Sequence, residues 1–143
     1  AQTVITVSTD PTIAETIAEK VNSGEGDYAD AWYVLCADVG SVSGDGTPTS
    51  GVTTPIGKYA HPFSGHFDGD GHTLTVNIPT SYSMPALFGY TGTGAIVRNL
   101  TVNGDIPAGS ETVLLWDYDA NHTVKDVRFE NVDPRVKVNR KGD

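Results

Sequence analysis

Two acidic groupings hold the side chains of this 143-residue chain that are best placed to do chemistry. In the first, Asp68-Gly69-Asp70-Gly71, alternate carboxylates in a D-x-D-G order can collect the oxygen ligands that calcium prefers. The stretch lacks the further acids and the terminal Glu of an EF-hand loop. Asp and Gly also tolerate the positive φ of tight turns, so a structural turn is the leading reading, with Asp68 and Asp70 as candidate calcium ligands beside it. The second grouping is Trp116-Asp117-Tyr118-Asp119. On an extended strand both carboxylates fall on one face and both aromatics on the other, as in a sugar-binding surface or a glycosidase. Same-side neighbours on one strand lie about 7 Å apart. With nothing in the sequence to raise either pKa, an exposed turn is the leading reading, with these four residues as candidate ligand-binding groups rather than a catalytic pair.

The remaining reactive residues read as structure. His61, His66, His72 and His122 show no helical i, i+4 pair, and Cys36 is the only cysteine, which excludes a zinc ribbon, a CxxC redox centre and an intrachain disulfide. Cys36 reads as a buried small hydrophobe in an apolar strand. Residues 89–94 (GYTGTG) lack the Lys-Ser/Thr of a phosphate loop and read as a turn. Asn99-Leu100-Thr101 and Asn121-His122-Thr123 match the N-glycosylation pattern, which makes Asn99 and Asn121 candidate acceptors, although an inward Asn stack is the other reading for Asn99.

The elements that must position these groups are mostly strands. Residues 3–9 (TVITVST) are nearly all β-branched or hydroxylated, and residues 32–39 (WYVLCADV) alternate Tyr33, Leu35, Ala37 and Val39 on one face. Between them Asp10-Pro11 starts one amphipathic helix, with Ile13, Ile17 and Val21 four apart, ending near Asn22-Ser23-Gly24. Residues 40–55 are rich in Gly, Ser, Thr and Pro and read as a surface loop. Beyond it the sequence repeats. An interval of 27 places Ala86-Leu87-Phe88 on Val113-Leu114-Leu115 and residues 97–102 on 124–129, and an interval of 26 places residues 74–76 on 100–102. Short strands recurring at one period suit stacked rungs, each burying its inward residues against the next.

Residues 55–57 (PIG), 62–74 (PFSGHFDGDGHTL), 86–89 (ALFG) and 99–102 (NLTV) resemble the GLUG-type repeat proteins of secreted bacterial β-helices. The helix and the strand at 33–35 resemble that family's leading segment, and the likeness covers about residues 3–133. It implies a mostly β fold: a short, right-handed, β-helix-like stack of about three rungs with one N-terminal amphipathic helix and strand-like termini. One domain over 1–143 then divides into a leading strand, helix and first rung (1–39), a loop (40–55), repeated rungs (56–133) and a basic strand-like tail (134–143). Polysaccharide lyases share such coils, but Arg98 is the only Arg before Arg128 and has no acidic cluster in sequence around it.

Charge narrows the partners. Eighteen acids against nine Lys and Arg give a net charge of −9, the wrong sign for nucleic acid or for an anionic bilayer. Only Lys20, Lys58 and Arg98 precede Lys125, whereas Lys125, Arg128, Arg135, Lys137, Arg140 and Lys141 crowd the end. No apolar run reaches the length of a membrane helix. The start at Ala1-Gln2 and the Gly, Thr, Ser and Asp content are those of a mature exported chain, so a secreted or cell-surface location is expected. Open rung ends attract further strands, and both termini have strand composition. The leading expectation is a non-enzymatic structural subunit that assembles with itself by β-strand addition through Val4, Ile5, Val7, Val136 and Val138. A monomeric adhesion or glycan-binding module is the alternative, facing a glycan or host surface, and a polysaccharide-degrading enzyme ranks last.

Overall fold

The computed structural model describes residues 4–7, 12–45, 47–78, 86–92, 94–104, 113–116, 128–132 and 137–139. Strands dominate, with one α-helix among the described residues. In chain order these are β1 (Val4–Val7), α1 (Thr12–Asn22), a 3₁₀ turn (Tyr28–Asp30), β2 (Trp32–Leu35), β3 (Ser41–Val42) and β4 (Pro48–Ser50). They continue with β5 (His66–Asp68), β6 (Thr73–Val76), β7 (Ala86–Phe88), β8 (Ile96–Gly104), β9 (Val113–Trp116), β10 (Arg128–Val132) and β11 (Lys137–Asn139).

The long sheet runs β1-β2-β5-β8-β10, every pair parallel. Its register is continuous. Val4 lies beside Trp32, Trp32 beside His66, His66 beside Ile96 and Ile96 beside Arg128. One residue on, Tyr33, Phe67 and Val97 stand side by side and are all buried, while their flanking neighbours are half-buried or exposed. That alternation is what a sheet with one core face requires. The first half of β8 pairs β5 and β10, and its second half pairs β6. The bend between the halves falls on Asn99, whose φ of 52° lies in the left-handed region that Asn tolerates better than most residues. A further parallel sheet runs β7-β9-β11, with Ile56 bridging Phe88 on its open side.

One apolar cluster fills the space between these walls. Phe88 of β7 meets Phe63 at 4.9 Å and Phe67 of β5 at 5.7 Å between ring centroids, so the two sheets share their aromatic contacts. Tyr33 lies 6.2 Å from Phe67, and its hydroxyl donates to the Tyr28 carbonyl at 2.6 Å. Burial, with the nearby Tyr28 and Asp30, pushes that phenol well above its ordinary pKa. Phe63, Phe67, Leu74, Leu87, Phe88, Leu100 and Val102 are buried in this cluster and Val76 packs against it. Val127 and the side chains of Leu115 and Phe129 lie outside the described residues.

The α1 helix forms where the fourfold spacing was read, and Ile17, Ala18 and Val21 are buried. Its last residue pins it: the Asn22 amide donates to the Pro55 carbonyl at 3.0 Å and accepts from the Gly57 N–H at 2.7 Å. The helix end is therefore tied to the segment that carries Ile56. Asp10 and Pro11 lie outside the described residues.

Residues 40–55, read as a loop, hold a hairpin. The β3 and β4 strands pair antiparallel, while Val39 bridges Leu74 and Val52 bridges Val76. Backbone bonds run unbroken across this excursion: Thr75 N–H to Val39 O at 2.8 Å, then Val52 N–H to Thr75 O at 2.9 Å. The chain thus leaves and returns opposite the single residue Thr75. At the neck a Cβ on Gly40 (φ 76°) would sit 2.6 Å from the Ser50 carbonyl, so only glycine fits. At the tip the Ser43 hydroxyl and Thr47 N–H bond to Asp45 and hold its carboxyl down at about 2.

The structure also corrects the repeat intervals. Ala86 and Phe88 pair Val113 and Leu115 at the interval of 27 read from the sequence. Leu74, however, pairs Val102 rather than Leu100, and Val97 pairs Phe129 rather than Val124 facing it. Turns of unequal length between the strands displace those registers. The strand read over 32–39 ends at Leu35, and half-buried Cys36 and Ala37 turn the chain toward Val39.

Candidate functional site

Asp68 ends β5 at the corner where the chain turns toward β6, and Asp70 and Gly71 make the turn with φ of 50° and 80°. The Asp70 N–H donates to Asp68 Oδ1 at 2.8 Å, the Asn99 amide to the same oxygen at 3.2 Å, and Arg98 Nε to Oδ2 at 3.1 Å. Partial burial pushes the Asp68 carboxyl up, but the donors from Asp70, Asn99 and Arg98 outweigh it and hold the carboxyl below its ordinary range. Both oxygens are thus engaged by the protein's own donors, and Asp70 is exposed. Among the described residues no group of three or more His, Cys, Asp or Glu is arranged to hold a metal ion. Beside this turn the Thr73 N–H donates to Asp38 at 2.9 Å, and His72 Nδ1 stands 3.5 Å from the same oxygen.

The corner continues into the next strands. Asn99 and Asn131 share a register position on β8 and β10, share the left-handed conformation at φ of 52° and 51°, and are joined by an Asn131-to-Asn99 amide bond of 3.2 Å. Asn99 is engaged at both ends of its amide within a sheet, which places it as a ladder residue and supports the stack reading over the sequon. Asn121 lies outside the described residues. Arg98, exposed, is the ion-pair partner of Asp68 in this ladder.

Of the aromatic-acidic group, Trp116 ends β9 opposite Asn139 of β11, and Asp117, Tyr118 and Asp119 lie outside the described residues. The structure pairs two further sets of aromatic residues. Trp32 and His66 are register neighbours on the long sheet and stack at 4.3 Å with planes 10° apart. Tyr59, at the tip of the tight turn between Lys58 and His61, is 69% exposed and meets Tyr90 edge-on at 6.1 Å. The only signal for the first pair was register, which the unequal turns hid.

The terminal strands occupy defined places. Val4, Ile5 and Val7 lie on β1, which pairs β2, and Val138 on β11 pairs Leu115 of β9, while Val136 lies outside the described residues. Both termini are therefore used within the chain. The long sheet begins at β1 and ends at β10, and among the described residues no strand pairs the outer edge of either. The α1 helix meanwhile covers the side of the molecule near Pro55 and Gly57. No helix among the described residues is long and apolar enough to cross a membrane.

Comparison with known proteins adds no relative: no family model, no curated protein and no solved structure matches this chain.

Proposed function

We propose that this chain is a non-enzymatic structural protein of the cell exterior, built as a coil of parallel β-rungs that joins copies of itself by β-strand addition. The registers support the coil. The chain visits the long sheet at 32, 66, 96 and 128, the β6 wall at 39, 74 and 102, and the β7 sheet at 56, 88, 115 and 138. Such a path makes successive turns of one spiral, and parallel crossovers of this kind are right-handed in nearly all proteins. The resemblance of residues 55–102 to GLUG-type repeats points the same way.

One observation carries the assembly reading. Among the described residues the long sheet ends at β1, VITV, a strand with no charge and no proline, although natural edge strands are normally defended by such residues. Catalysis finds no support in Asp68 and Arg98, whose hydrogen bonds and ion pair tie the sheet corner together. A monomeric glycan-binding module is the second reading, favoured by the exposed Tyr59 beside Tyr90. Sedimentation velocity over a wide concentration range separates the two. The structural reading expects mass to grow with concentration, and a monomer at every concentration would favour the binding module.

A further inference from the structure

We propose that the Asn22 side chain takes the place of a strand: it occupies the edge of the β7 sheet at residues 55–57 and stops that edge from pairing with a second copy of the chain. This goes beyond assembly through β1 and does not depend on it, because it concerns another sheet and an edge that the chain itself fills.

The hydrogen bonds carry the argument. In a parallel ladder a residue donates its N–H to the carbonyl before its partner and accepts from the N–H after it. Ile56 does this toward β7: its N–H donates to the Leu87 carbonyl at 2.8 Å, and its carbonyl accepts from the Gly89 N–H at 2.9 Å. On the opposite side of the same segment, the Asn22 amide donates to the Pro55 carbonyl at 3.0 Å and its oxygen accepts from the Gly57 N–H at 2.7 Å. That is the pattern of a strand residue registered beside Ile56, made by a side chain. Its sense is fixed chemically, since a carbonyl only accepts and an N–H only donates. Residues 55–57 are buried, so each of these backbone groups would carry a desolvation cost if left unpaired.

The surroundings hold the amide in that place. Val21, fully buried, sets the rotation of α1, and the helix ends at Asn22. Gly24 then closes it with a φ of 72°, its N–H bonded to the Val21 carbonyl at 3.1 Å. A Cβ on Gly24 would lie 2.5 Å from His61 Cε1, so only the bare glycine admits the His61 ring. The helix end is therefore seated twice on one segment, through Asn22 at residues 55–57 and through Gly24 at His61. From the far side, a Cβ on Gly57 would lie 2.2 Å from the Tyr90 carbonyl oxygen, so the backbone that meets Asn22 is itself closely confined.

The excluded occupant is a strand of a second copy. The sheet is built by strands of this chain laid parallel one after another, β11, β9 and β7, with Ile56 beside Phe88. A stretch such as Ala86–Phe88, which pairs Ile56 on one side, has the backbone pattern to pair it on the other. Natural sheets cover such edges against this kind of addition, and here the cover is a single amide.

The test follows the Gly57 amide by hydrogen exchange in the full chain, resolved by NMR, over a range of protein concentrations. Asn22→Ala is expected to speed Gly57 exchange about tenfold in dilute solution, the effect of losing one hydrogen bond at a locally opened edge. Raising the concentration is expected to slow it again toward the parent rate, together with growth in mass by light scattering, as the vacated edge takes a strand of another copy. In the parent, Gly57 exchanges slowly at every concentration, whether or not copies join through β1. Asn22→Asp keeps an acceptor for the Gly57 N–H and is expected to hold its exchange within about threefold of the parent. Asn22→Gln, which moves the amide off the edge by a methylene, runs the same concentration series should the alanine variant fail to fold. Gly57 exchange as slow in dilute Asn22→Ala as in the parent, or as fast in Asn22→Asp as in Asn22→Ala, would overturn the pairing. Fast exchange at every concentration in the vacated variants would overturn the role as a stopper. Failure of assembly through β1 shows instead in the mass of the parent and leaves Gly57 unchanged.

Discussion

Replacing Phe88 by Ala probes whether the sheets enclose one core. Phe88 is fully buried on β7, with Phe63 at 4.9 Å and the β5 residue Phe67 at 5.7 Å, edge-on. Truncating a buried Phe to Ala costs about 3–5 kcal/mol, the spread reflecting how far the site collapses. Here collapse is opposed from two sides, because Phe63 and Phe67 are themselves fixed by Tyr33 at 6.1 and 6.2 Å. Each aromatic pair adds about 0.5–1.5 kcal/mol beyond its area, which places the loss in the upper half of that range, about 4–5 kcal/mol. Phe88→Leu retains most of the volume and is expected to lose roughly 2 kcal/mol less. Urea titration followed by tryptophan fluorescence measures both. A loss below about 1 kcal/mol for Phe88→Ala, with an unchanged denaturant slope, would mean that β7 does not wall the same core as β5.

Four further outcomes follow from local geometry. A Cβ on Gly65 would meet the Ala31 carbonyl oxygen at 2.0 Å, so Gly65→Ala is expected to lose about 1–3 kcal/mol. Gly44→Ala, with nothing within 4 Å, should change stability by less than about 0.5 kcal/mol in the same denaturation assay. Because the Asp68 carboxyl is held below its ordinary range, its contribution is present above about pH 4 and is lost as the pH falls through the folded value. Asp68→Asn should therefore flatten the acid limb of melting temperature against pH, and an unchanged limb would remove Asp68 from that account. Replacing residues 40–51 by one Thr restores the spacing of Leu74-Thr75-Val76 and should alter stability by less than about 1 kcal/mol by thermal melting, since shortening an excursion costs little closure entropy.

Much of this architecture was legible because its signals are local. The fourfold Ile13, Ile17, Val21 spacing gave α1, and the apolar stretches around Phe67, Leu74 and Leu100 gave buried strands. Register was less legible. Two residues separate the expected Leu74–Leu100 match from the observed Leu74–Val102 pair, because Asn99 turns the chain within a strand whereas Asp70 and Gly71 need a longer turn for the same corner. The hairpin was hidden for a related reason. Gly, Ser, Thr and Pro are the composition of a loop, and only the meeting of Gly40 with Gly51 beside Thr75 reveals a strand interrupted and resumed. Of the candidate sites, Asp68 proved to be the acceptor of a ladder whose donors, Arg98 and Asn99, lie thirty or more residues away in sequence. The Trp32–His66 stack depends wholly on strand register.

The central claim, assembly through the outer edge of β1, has a direct measurement. Alternate residues of a parallel strand direct their N–H groups to opposite sides, so of Ile5 and Thr6 one serves β2 and the other faces the side away from β2. Proline is introduced at each position separately, and melting temperature and sedimentation are recorded for both variants. The proline that removes the outward N–H is expected to leave stability within about 0.5 kcal/mol of the parent and to abolish concentration-dependent growth in mass. The other is expected to lower the melting point by breaking a bond to β2. Assembly that persists in both proline variants, or an intact chain that sediments as a monomer at every concentration, would contradict the account.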